Sequence, residues 1–128
     1  GSLKKNLIIM LTVTAILWCG CIVQSMELKK ASSFAKEALS ATQNALAGGF
    51  RAAETEFMKY SAKWEKYESI LSLSVSHDDL DAIMLRNARL GACLCSGNEA
   101  EAAAVIGELC ETFKSLENGF RINPRNIL

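Results

Sequence analysis

Between residues 7 and 23 the chain reads LIIMLTVTAILWCGCIV, apolar on every helical face, with no charge until Glu27. At about 1.5 Å of rise per residue this run reaches the lower edge of a membrane span. A core helix of a soluble oligomer would show a polar stripe, and this run has none. The pattern then changes. Leu28, Ala35, Leu39, Thr42 and Leu46 recur every three to four residues, as on a helix that buries one face. A second stripe follows in Ala53, Phe57, Tyr60, Trp64, Tyr67 and Leu71, within a helix expected over 50–73. Leu80, Ile83, Asn87, Leu90 and Leu94 make a third, and Ala102, Ile106, Leu109, Phe113, Leu116 and Phe120 a fourth.

Turn chemistry separates the stripes. Gly48-Gly49 ends the first, since glycine has low helix propensity and readily forms a left-handed cap. Ser76 fits the N-cap of the third helix, with Asp78 and Asp79 where the helix dipole favours negative charge. Gly97 ends that helix, Asn98 caps the fourth, and Asn118-Gly119 closes it. The glycine turns at Gly49 and Gly97 make a weak internal repeat of helical hairpins. The expected fold is therefore all-α. An N-terminal transmembrane helix precedes an antiparallel bundle of two αα-hairpins, four helices in all. Residues 1–25 hold a Gly-Ser tag remnant, a basic start and the membrane segment; residues 26–128 hold the bundle. Nothing between 26 and 47 breaks a helix, so the membrane helix can run straight into the bundle.

Lys4 and Lys5 precede the span while Lys29, Lys30 and Lys36 follow it, so counting lysines does not orient it. A short basic start before an apolar stretch is the layout of a signal-anchor, which puts the bundle outside the cytoplasm, at the cell membrane. A cleaved signal peptide fits less well, because Cys21-Ile22-Val23-Gln24 offers no small-residue exit. Trp18-Cys19-Gly20-Cys21 is a poor lipidation site, with Trp18 where an aliphatic residue is usual.

Composition narrows the function classes. Fourteen basic and fourteen acidic residues leave no net charge, which gives no ground for a nucleic-acid partner. A single proline, Pro124, and many Ala, Leu, Glu and Lys suit helices. The five cysteines do not assemble into a metal site. Cys93 and Cys95 point to different sides of one helix, and the third-helix rise separates His77 from Cys93 by roughly 24 Å. Cys95 and Cys110 are offset by roughly 15 Å along a regular hairpin, too far for a disulfide. Cys93 or Cys95 could bridge to another molecule. No metal and no cofactor are expected.

His77 is the only histidine. Ser74, Ser76 and Asp81 lie near it, but no nucleophile elbow or oxyanion nest accompanies them, so no catalytic residue is assigned. The expected role of His77 is structural, its ring bonded to Asp81 one turn along and pinning the corner between helices two and three. Trp64 and Tyr67 could clamp a ligand, although stripe positions favour the core. Asn87 is the polar residue on an apolar stripe, able to fix helix register or align a partner.

Trp64-Glu65-Lys66-Tyr67, His77 with Asp81, Arg89-Leu90 and the closing Asn126-Ile127-Leu128 together resemble the domain of unknown function 4363 family. Cys residues and Gly91-Ala92 are outside its pattern. The resemblance implies short proteins of Gram-positive bacteria, with an N-terminal membrane segment, a helical remainder and no assigned activity. It also implies a membrane protein partner, since members often accompany multi-pass proteins. The expected function is a membrane-anchored, non-enzymatic helical domain that binds a protein, with the lipid bilayer meeting residues 7–23 and a homo-oligomer left open. The alternative is a small-ligand-binding domain with a pocket between the two hairpins.

Overall fold

The computed structural model describes residues 1–119; Phe120 of the fourth stripe and the closing Asn126-Ile127-Leu128 lie outside it. One continuous helix, α1 (Ser2–Ala45), carries both the apolar run and the first stripe. It ends in a 3-10 turn over Leu46–Gly48. Then come α2 (Phe50–Leu71), α3 (His77–Ser96) and α4 (Glu99–Gly119). Packing follows a ring: α1 lies against α2 and α4, and α3 lies against the same two. Short connections and this adjacency make an up-and-down four-helix bundle, in which α1 and α3 stand on opposite corners.

The stripes become the core. Leu28, Ala35, Leu39 and Thr42 are buried from α1, joined by Ala31 and Ser32, and Leu46 from the 3-10 turn that follows. Ala53, Tyr60, Trp64 and Leu71 are buried from α2, with Phe57 and Tyr67 half-buried against them. Leu80, Ile83, Leu90, Cys93 and Leu94 come from α3, and Ala102, Val105, Ile106, Leu109 and Phe113 from α4. Small residues Ala31 and Ala35 let α1 sit close to its neighbours, while α2 supplies the bulk. Buried Ser32 reaches the Phe113 carbonyl oxygen at 3.5 Å, and Thr42 donates to the Ala38 carbonyl at 2.9 Å.

Local chemistry sets the turns. Gly49 has φ 113° and Gly97 φ 72°, backbone that side-chain-bearing residues rarely adopt. Ser76 Oγ accepts from the Asp79 amide at 3.2 Å, and Asn98 Oδ1 accepts from the Glu101 amide at 3.2 Å. Both caps stand where the sequence places them. Helix α2 stops at Leu71, two residues before the expected end, because residues 72–74 turn and close on the last carbonyls of α2.

Candidate functional site

Residues 7–23 project from the bundle with their apolar side chains exposed, from Leu7, Ile8 and Ile9 through Leu17 to Val23. This N-terminal helix is long and apolar enough to cross a membrane, and none of the apolar window is buried. Within it, Thr12 and Thr14 donate back to the Ile8 and Met10 carbonyls, each at 2.8 Å, so neither hydroxyl needs water. The helix continues without a break into the bundle.

Inside the bundle the sequence-marked aromatics meet in one cluster. Trp64 packs edge-on against Phe113 with ring centroids 5.1 Å apart, and Tyr60 lies 6.4 Å from Trp64. Phe34 joins from α1, 5.3 Å from Tyr67 and under Lys63 Nζ at 5.0 Å. Trp64 is buried, so it fills the bundle and is not open to a ligand. Tyr60, fully buried, donates to Asn87 Oδ1 at 2.8 Å. Burial holds the Tyr60 phenol well above its ordinary range, partly offset by the Asn87 bond. Asn87 thus ties α3 to α2 by satisfying a buried hydroxyl, a partner that the stripe pattern could not name. Nearby, Gly91 lets α3 approach α2: a Cβ there would meet the Phe57 ring at 3.1 Å.

His77 departs from expectation. Its ring and Asp81 are both exposed, and among the described residues the ring makes no hydrogen bond. Water competes for both groups at the open end of α3, so nothing holds them together. They line a shallow polar cleft with Glu65, Glu68, Ser69 and Ser72. The corner is pinned by other residues: Leu71 and Val75 turn inward, and Ser74 Oγ donates to Gln24 Oε1 of α1 at 2.9 Å.

The cysteines are all free among the described residues. Cys93 is buried, which removes it as a bridging candidate and leaves Cys95 as the exposed thiol of the bundle. Burial raises the Cys110 thiol above its usual range, with Lys36 pulling the other way. No group of three or more metal-binding side chains occurs among the described residues.

Two surface features escaped the stripe pattern. Helices α3 and α4 are clasped on the outside by Arg89 with Glu101 and Glu108, and by Arg86 with Glu108. Below this clasp the hairpin opens into a groove of about 820 Å³ lined by Leu28, Val75, Asp79, Glu111, Thr112 and Leu116. The centre between the two hairpins is filled by Tyr60, Trp64 and Phe113, so the groove lies outside it, along the second hairpin with Leu28 of α1 at its side. The other feature is the outer face of α3. Met84 is 50% and Leu85 67% exposed, and Ala88, Ala92 and Cys95 continue the same face. Ala82-Ile83-Met84-Leu85 is a wider apolar run than one buried stripe requires, and that excess was the available signal.

The family described as Domain of unknown function (DUF4363) matches residues 22–127. The chain belongs to this family. The match begins at the end of the apolar run and takes in the whole bundle, including the Trp64–Tyr67 and His77–Asp81 positions. Comparison with curated proteins finds no match, and comparison with solved structures finds none.

Proposed function

We propose that this DUF4363 chain is a membrane-anchored, non-enzymatic helical domain that docks a protein neighbour in the same membrane, with the bundle outside the cytoplasm. The observation that carries the reading is the outward apolar face of α3, Met84, Leu85, Ala88 and Ala92, on a bundle joined by unbroken helix to residues 7–23. Alanines at a spacing of four allow close approach of a second helix, and Met and Leu give it apolar area to bury. A rigid α1 holds that face at a fixed height, which favours a membrane-bound partner over a diffusing one. The groove beside the second hairpin lies open on the surface, which suits an enclosed small ligand less well.

The test is site-specific photocrosslinking in native membranes, with a photoreactive residue at Met84 or Leu85 and at Ser40, on the exposed side of α1. The proposal expects a discrete protein adduct from the α3 positions that is lost in the same probe carrying Ala88→Asp. Equal adducts from Ser40 and Leu85 would contradict it.

A further inference from the structure

The corner between α2 and α3 turns at the membrane end of the bundle. Leu71 and Val75 face inward at 1% and 8% exposure, while Leu73 between them is 80% exposed. The turn is closed by backbone bonds from Leu73 to the Ile70 carbonyl at 3.4 Å and from Ser74 to the Leu71 carbonyl at 3.0 Å. Leu73 is therefore held outward by its neighbours' burial. A singly exposed leucine is ordinary on a protein surface; what sets Leu73 apart is the closed turn that holds it outward at this end of the bundle.

The height of this corner is set. Ser74 Oγ donates to Gln24 Oε1 at 2.9 Å, and Gln24 is the first residue after the apolar run. Consecutive Cα atoms are about 3.8 Å apart, so Leu73 stands close to the level where the run ends. That run is also short. Residues 7–23 rise roughly 26 Å, against a hydrocarbon core of about 30 Å. A bilayer meeting this span either thins locally or draws in the next residues, Gln24, Ser25 and Met26. Lys29 and Lys30, exposed one turn further on, are placed to reach the phosphate level.

We propose that the Leu73 corner is a second membrane contact, inserted at the boundary between lipid headgroups and acyl chains, so that the bundle rests on the bilayer as well as being tethered to it. This rests on the membrane-anchor reading above. The local charges are mixed, Glu27, Asp78 and Asp79 against Lys29 and Lys30, so the contact is with the apolar boundary and needs no anionic lipid.

The test places the photoreactive amino acid p-benzoylphenylalanine in the full chain at position 73, at Ile16 within the span, or at Met58. Met58 is exposed on α2 and lies about 20 Å up that helix from the corner. Each protein is reconstituted in phosphatidylcholine vesicles, irradiated, and weighed by mass spectrometry for phospholipid adducts. The expected result is an adduct at 73 about tenfold more abundant than at 58, the factor that burying one leucine-sized side chain carries. Equal yields at 73 and 58, with a strong adduct at 16, would overturn the corner contact while leaving the anchor intact. No adduct at 16 would overturn both. A protein adduct at 73 in native membranes that displaces the lipid adduct would assign the corner to a protein partner, and would also overturn the proposal.

Discussion

The two halves of α1 share one backbone and obey different rules. Before Gln24 the side chains Leu7, Ile8, Leu11, Ile16, Leu17 and Val23 are exposed on all sides. After Met26 the exposed and buried positions alternate with helical period, and Leu28, Ala31, Ala35, Leu39 and Thr42 are inside. An all-round apolar helix needs lipid or protein on every side, whereas a striped one needs a partner on one side. A single unbroken helix can thus satisfy two solvents, provided the change of pattern falls at the change of surroundings. The difference also shows why helix α1 has no cap at that point: no helix ends there.

Damage to the bundle half should leave the apolar half, and the anchoring proposed for it, in place. Trp64→Ala removes a buried ring that packs on Phe113 and Tyr60, and should cost about 3–5 kcal/mol in chemical unfolding of the detergent-solubilised chain. The variant should still resist carbonate extraction from membranes, because residues 7–23 are untouched. Release by carbonate would show that the bundle, and not the apolar run, holds the chain there.

A paired substitution within α1 sharpens the contrast. Leu39 is fully buried, so Leu39→Ala should destabilise the bundle by about 2–5 kcal/mol. Ile16→Ala removes a similar side chain from the exposed half and should leave the bundle's unfolding midpoint where it was. Similar shifts from both would mean that the run packs on the bundle after all.

Tyr60→Phe is the next smaller effect. It deletes the bond to Asn87 and should cost about 1 kcal/mol, the net value of one such bond. Its pH dependence is more specific. Burial raises the Tyr60 phenol in the folded chain, while the unfolded phenol titrates near pH 10. The stabilisation from keeping it neutral is complete below that value and falls as pH rises through and beyond it. Parent stability should therefore drop more steeply above about pH 10 than that of Tyr60→Phe, and parallel curves would rule out the buried-phenol account.

The smallest effect is expected at the corner's histidine. With its ring exposed and unbonded among the described residues, His77→Ala should change stability by less than about 0.5 kcal/mol. A larger loss by thermal unfolding would restore the corner-pin role.

These outcomes track what the residue pattern could and could not say. Period and capping chemistry are local, so the four stripes, the Ser76 and Asn98 caps and the glycine turns were legible from neighbours three or four positions away. The unbroken α1 was legible as well, since nothing between 26 and 47 stops a helix. Pairings across helices were not. Asn87 was recognisable as a polar residue on an apolar stripe, but its partner Tyr60 lies 27 positions away on another helix. The same limit misled the reading of His77 and Asp81: spacing of four puts two side chains on one face but does not exclude water from between them. Met84 and Leu85 are not on the stripe that predicts α3, and only the packing shows that they are left outside.

The account turns on α1 being one helix through the membrane boundary. Hydrogen–deuterium exchange of the full chain in lipid nanodiscs reads this directly at the amides of residues 22–30. The account predicts slow exchange throughout, with protection passing from the lipid-embedded half into the bundle without a gap. Fast exchange at residues 24–27, between two protected stretches, would show a hinge there and contradict the single rigid helix.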